Sequence, residues 1–103
     1  MNKNFSEYLQ LISDYLVDYK DNDSGMISSA SDDSRSCAAN SLFCAKKGLQ
    51  FDAHNFVEDA LANGAKAVFS ERPLQLPPEI SWALVNNADI AFAVDQYYTI
   101  TGD

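Results

Sequence analysis

Apolar residues recur along the chain in short bursts whose period changes from helical to extended and back. Tyr8, Ile12, Tyr15, Leu16 and Tyr19 follow a mostly three- and four-residue spacing, which gathers side chains on one helix face. Asn4 and Glu7 ahead of them have the spacing of a capping box, where each side chain satisfies an orphan amide of the first turn. The spacing predicts one helix from about Asn4 to Tyr19, stopped by the turn-forming run Lys20-Asp21-Asn22-Asp23-Ser24-Gly25. Met26 to Ala30 reads as a short, weak strand, Ser36 to Asn40 as a small-residue connection, and Ser41 to Lys46 as a strand apolar in its middle. Asp52 or His54 starts a second helix with Phe56, Val57, Ala60 and Leu61 on one face and Asn63-Gly64 as its stop. Lys66 to Ser70 predicts a buried strand and Trp82 to Val85 another. Between them Arg72 to Glu79 holds all three prolines and is a loop. Asn87 is placed to cap a last helix whose Ile90, Val94, Tyr97 and Tyr98 share a face.

Strands alternating with helices predict an α/β layer architecture with a mainly parallel sheet. A length of 103 residues makes residues 1–103 a single domain with a modest core. Composition narrows the function classes. A formal net charge of -8 argues against non-specific nucleic-acid binding, which needs a dense basic field, and against an anionic membrane surface. No apolar run approaches the roughly 20 residues of a membrane helix. The first residues lack the basic and apolar regions of a secretory signal, so a cytoplasmic location is expected. Cys37 and Cys44 are expected as buried free thiols. With one histidine and two separated cysteines there is no zinc ligand set.

The candidate chemistry is sparse. Asp33-Ser34-Arg35 follows a strand and precedes a small-residue loop, the place where open α/β sheets put ligand-binding loops. A serine hydroxyl with neighbouring amides can hold a diphosphate oxygen, and an arginine can add charge or pin the loop. The same three residues also describe a plain local turn, in which Asp caps amides and Arg pairs with Asp. His54 has no partner motif for general-base work and is expected to pack or to hydrogen-bond a loop, with Asp52 as a helix N-cap. Phe51 sits between strand and helix, either against a nucleobase or as a hydrophobic staple. There is no Gly-x-x-x-x-Gly-Lys phosphate loop, no Gly-x-Gly-x-x-Gly, and no nucleophile–histidine arrangement, so no catalytic residue is expected in this chain.

Five short blocks occur in order: Asp33-Ser34-Arg35, Leu42-Phe43-Cys44-Ala45, Gly48, Asp52-Ala53-His54-Asn55-Phe56, and Gly64-Ala65 leading to Ala67-Val68-Phe69. Together they resemble the N-terminal, UDP-binding domain of the Mur ligases, which extend the cell-wall precursor UDP-N-acetylmuramoyl-peptide. The resemblance covers about residues 26 to 98. It implies a small three-layer sandwich with a mainly parallel or mixed sheet flanked by helices. It also implies a domain that grips the UDP part of UDP-N-acetylmuramoyl-peptide in peptidoglycan precursor synthesis. By position, Ser34 matches the serine that contacts the nucleotide, Asp32 the position near the uracil, and Leu49, Gln50 and Phe51 the segment lining the uridine site. Arg35 and Asp52 match positions that shape the site.

In full-length relatives a central ATPase domain using ATP and Mg and a C-terminal amino-acid-binding domain follow. This chain stops where the central domain is expected, so the resemblance implies an isolated substrate-binding domain whose partners are the muramoyl-peptide and the rest of the ligase. The balance of blocks favours the ligase that adds the third peptide residue, diaminopimelate or lysine. The alternatives are the sister ligase that adds D-alanyl-D-alanine and a non-catalytic protein-docking module. Three departures stand out. Asn40-Ser41 replaces a Gly-Asp turn, with Asn tolerating a left-handed backbone. Ala53 replaces a glycine and is harmless if helical. Asp32 brings a carboxylate toward a diphosphate and weakens binding unless it points away.

Overall fold

The computed structural model describes residues 3–22, 25–46 and 52–88. A five-stranded mixed sheet forms its middle layer. Strands β4 (Ser29–Ser31), β5 (Ser41–Cys44), β6 (Ala65–Ser70) and β7 (Ser81–Val85) run parallel in that spatial order, and β2 (Leu16–Lys20) closes the far edge antiparallel to β7. Two short strands, β1 (Lys3–Asn4) and β3 (Met26–Ile27), pair separately. Helix α1 (Phe5–Leu11) contributes Phe5, Tyr8 and Leu9 to the core on one face, and α2 (Val57–Ala62) contributes Val57 and Ala60 on the other. The expected three-layer sandwich is therefore observed.

Side-chain alternation along the central strands builds both cores at once. In β5, Leu42 and Cys44 face α1, whereas Phe43 and the following Ala45 face α2. In β6, Ala67 and Phe69 join the α1 layer and Val68 the α2 layer. Phe69 anchors α1 through two ring contacts, tilted against Phe5 at 6.3 Å and edge-on to Tyr8 at 6.4 Å, geometries that suit aromatic quadrupoles. A central strand buried on both faces reads as a continuous apolar run, which is why these two were the clearest in the sequence.

The first helix is shorter than its apolar spacing predicts. Asn4 does cap it, its Oδ1 accepting from the Glu7 amide at 3.0 Å, but the helix ends at Leu11 and a tight turn over Ser13–Tyr15 leads into β2. Ser13 and Asp14 compete for backbone groups in a helix interior. Tyr15-Leu16-Val17-Asp18-Tyr19 is rich in branched and aromatic residues that suit a half-buried strand. Pairing Leu16 with Val85 and Tyr19 with Ala83 decides the outcome. Val17 and Tyr19 are exposed, not part of a helical stripe.

Other expectations hold. Asn40 has a φ of +66°, so it does adopt the left-handed turn of the glycine it replaces. Gly64 ends α2 at φ +111°, packed so closely that an added Cβ would lie 2.7 Å from the Ala39 Cα. Cys37 and Cys44 are buried and unlinked, Cys37 in the α2 layer and Cys44 in the α1 layer. Burial raises the Cys37 thiol pKa. Among the described residues no helix is long and apolar enough to cross a membrane. The expected last helix, with Ile90, Val94, Tyr97 and Tyr98, lies outside the described residues.

Candidate functional site

Where β4 ends at Ser31, the chain turns back over the sheet, and Asp33 caps a tight helical turn over Ser34–Ser36. Its Oδ1 accepts from the Arg35 amide at 2.9 Å and from Arg35 Nε at 3.1 Å, while Arg35 Nη2 reaches Asp33 Oδ2 at 2.9 Å. The Ser31 hydroxyl accepts from the Asp33 amide at 3.0 Å. From the far end of α2, the Asn63 side-chain amide donates to the Ser34 carbonyl at 2.9 Å. The plain-turn reading of Asp33 and Arg35 is thus realised. Their mutual hydrogen bonds hold the Asp33 carboxyl below its usual range and raise the Arg35 guanidinium.

The turn forms one wall of a cleft of about 450 Å³, lined by Asp32, Asp33, Ser34, Arg35, Phe43, Phe56 and Asp59. Ser34 is buried against α2, and among the described residues no group takes its hydroxyl. Arg35 is 87% exposed, so its pair with Asp33 is solvated and adds little rigidity beyond the turn itself. Asp32 was expected to oppose an anionic ligand. Its Oδ2 lies 2.8 Å from Lys46 Nζ, a pairing that offsets its charge.

Asp52 heads a second turn of the same local design over Ala53–Phe56, its Oδ1 accepting from the His54 amide at 3.0 Å. Ala53 therefore sits in helical backbone, the condition under which its missing glycine is harmless. Here the neighbouring ring is buried. The Glu71 amide donates to His54 Nε2 at 3.0 Å, which makes Nε2 an acceptor and leaves the proton on Nδ1. Nδ1 then donates to Asp52 Oδ1 at 2.5 Å, and Arg72 Nη1 reaches Asp52 Oδ2 at 2.5 Å. The bond from His54 is the main cause of an Asp52 carboxyl held far below the usual carboxylate range, with Arg72 adding to it. His54 hydrogen-bonds a loop, as expected, and Asp52 is the N-cap.

Of the sequence-predicted site residues, Ser34, Arg35 and Asp32 meet in the cleft. Asp52 is engaged with His54 and Arg72. Leu49, Gln50 and Phe51 lie outside the described residues. Two cleft residues escaped the sequence reading. Phe56 was placed with Val57 and Ala60 on the apolar face of the second helix, yet it is 39% exposed on the cleft. The turn over 53–56 has three residues per turn, not 3.6, so the phase slips and the ring rotates off the buried face. Asp59, inside the second helix, drew no reading from the sequence. The signal that both share is their three-residue spacing, which puts them on one side of a helix.

A family model described as Mur ligase family, catalytic domain, matches residues 27–96. Among curated relatives, the UDP-N-acetylmuramoyl-L-alanyl-D-glutamate–2,6-diaminopimelate ligase of Geobacillus kaustophilus is 41% identical over 68 residues, which are 64% of this chain and 14% of that protein. The UDP-N-acetylmuramoyl-tripeptide–D-alanyl-D-alanine ligase of Synechocystis is 38% identical over 61 residues, 58% of this chain and 13% of that protein. Among solved structures, the UDP-N-acetylmuramoylalanyl-D-glutamyl-2,6-diaminopimelate–D-alanyl-D-alanyl ligase of Acinetobacter baumannii superposes with a TM-score of 0.74 at 28% identity. It covers 91% of this chain and 20% of that one. The chain spans about a seventh of the length of the curated relatives it matches. With a model matched over well over half its length and a fold shared with a solved ligase, the chain belongs to the Mur ligase family.

Proposed function

We infer that this chain is the substrate-binding domain of an ATP-dependent ligase of peptidoglycan precursor synthesis, holding UDP-N-acetylmuramoyl-peptide by its nucleotide end. The observation that carries this reading is the cleft at the carboxyl end of β4, where Ser34 and Arg35 line one wall. That is where open α/β sheets present ligands. The hydroxyl of Ser34 supplies a donor for a diphosphate oxygen, and the pairing of Asp32 with Lys46 removes the main electrostatic objection. Leu49, Gln50 and Phe51 complete the uridine side of the site in this reading, and Asp52 shapes it from the loop's exit.

The amino acid added by the parent is diaminopimelate or lysine in the first reading, supported by diaminopimelate ligases at 41% and 36% identity. A second reading, the D-alanyl-D-alanine-adding ligase, is supported by the Acinetobacter structure and its 91% coverage of this chain. The residues present do not fit ATP with magnesium. The chain has no glycine-rich phosphate loop, and the cleft carboxylates Asp32 and Asp33 already pair with Lys46 and Arg35. ATP and Mg belong, in this proposal, to a central domain of a cytoplasmic parent that docks on this one.

The test is an NMR titration of the labelled chain with UDP-N-acetylmuramoyl-dipeptide, with ATP as control. Saturable amide shifts at residues 32–35 and 59 with the muramoyl compound, and none with ATP, are expected. Unmoved spectra at millimolar ligand would overturn the nucleotide-binding reading and favour the domain as a protein-docking module.

A further inference from the structure

The fold demands glycine at position 64, where φ is +111° and an added Cβ would meet the Ala38–Ala39 backbone. The residue before it is Asn63, and nowhere else in the chain does an asparagine precede a glycine. Such a pair is chemically labile. With no side chain on the second residue, its amide nitrogen reaches the asparagine Cγ unhindered whenever the backbone is flexible. The folded chain holds the two atoms apart. Asn63 closes α2 with a ψ of 0°, which turns the Gly64 nitrogen away from the Asn63 Cβ, whereas ring closure needs it on the Cβ side. The Gly64 amide donates to the Leu61 carbonyl at 3.1 Å, and the Gly64 carbonyl accepts from the Asn40 amide at 3.0 Å. The Asn63 side-chain amide is itself engaged, donating to the Ser34 carbonyl at 2.9 Å. The nitrogen that would leave is therefore the one that ties α2 to the turn over Ser34–Ser36.

We propose that Asn63 is a spontaneous deamidation site which the native end of α2 shields, and that its conversion unfastens the Ser34–Ser36 turn. The reaction needs only water. The Gly64 nitrogen gives up its proton to solvent base and bonds to Asn63 Cγ; the Cγ–Nδ2 bond breaks, and Nδ2 takes up a proton and leaves as ammonia. Water then opens the resulting succinimide at one carbonyl or the other, giving aspartate or isoaspartate. Either product replaces the donor opposite the Ser34 carbonyl with a carboxylate, so that acceptor faces acceptor. The new charge also sits at a helix C-terminus and four residues after Asp59, unfavourable on both counts. Isoaspartate further lengthens the backbone by a methylene immediately before Gly64, whose surroundings have no room even for a Cβ. None of this depends on which ligand the cleft holds.

The experiment ages the unaltered chain in mildly alkaline buffer, folded and in urea, and follows deamidation at each asparagine by peptide mapping, with electron-transfer fragmentation to separate isoaspartate from aspartate. In urea Asn63 is expected to convert ahead of every other asparagine. In the folded chain it is expected to convert about tenfold more slowly, in proportion to local opening of the helix end. Equal rates in the two states overturn the shielding, and an Asn63 no faster than the other asparagines in urea overturns the site. Asn63→Asp reproduces one product. Its amide resonances are expected to shift at residues 34–36, and its melting temperature to fall by about 4–8 °C. Deamidated chain separated by ion exchange gives the same reading without a variant. Unmoved amides at 34–36 in both materials overturn the link to the turn.

Discussion

Two corners of this domain are built from one local device and put to opposite uses. Asp33 and Asp52 each cap a tight helical turn and each accept from the amide two residues on, at 2.9 and 3.0 Å. The side chain at that third position differs. Arg35 swings out, 87% exposed, whereas the His54 side chain is 2% exposed and bridges Asp52 to the Glu71 amide. Arginine carries a charge that burial would penalise, and a neutral imidazole carries one donor and one acceptor that two fixed partners can satisfy. An aspartate-led turn is therefore only a hinge for whatever follows it. At the first corner it leaves a cation at the mouth of a cleft, and at the second it fastens the start of α2 to the end of β6.

The sharpest way to break this comparison acts beneath the first corner. Gly64→Ala forces a Cβ within 2.7–2.9 Å of the Ala38–Ala39 backbone, at a φ of +111°. The expected loss is about 2–5 kcal/mol by chemical denaturation, combining strain and overpacking. An unchanged denaturation midpoint would show that the backbone there yields freely. Exchanging the third residues should separate the corners next. His54→Ala removes a buried side chain and orphans the Glu71 amide, for an expected loss of about 2–4 kcal/mol. Arg35→Ala should move the melting temperature by no more than about 2 °C. Equal losses at the two sites would erase the distinction.

A smaller effect lies in the acid limb of the stability curve. Both carboxyls are lowered in the folded state, Asp52 chiefly by His54 and Asp33 chiefly by Arg35. A lowered folded pKa contributes stability that is fully present above the unfolded value of about 3.9 and is lost as pH falls below it. Asp52→Asn should flatten the fall in melting temperature between pH 5 and 2 more than Asp33→Asn does, because Asp52 is the more strongly held. The same slope for both variants would contradict the ranking.

How much of this was readable in advance follows the same division between packing and local geometry. β5 and β6 announced themselves because strands buried on two faces leave unbroken apolar runs. Asn40 was readable as a left-handed position because few residues tolerate one. Leu16–Lys20 was hidden because residues spaced for a helix were also suited to a strand, and only the partner β7 could choose between them. Phe56 was hidden by a phase slip of a few tens of degrees, which no pattern of apolar positions records. The Lys46 partner of Asp32 lies fourteen residues away in sequence, so the carboxylate looked like an obstacle until the two side chains were placed together.

The placement of the two cysteines on opposite faces of one sheet carries a last consequence. Cys37 lies under α2 and Cys44 under α1, with the hydrogen-bonded strands between them. A bond between their sulfurs would have to pass through the sheet, so oxidation cannot staple the native fold, and an internal crosslink records a molecule that had come apart. The pair is a built-in clock: the rate at which a thiol reagent consumes both sulfurs together counts whole-domain openings, and local breathing of either layer releases only one.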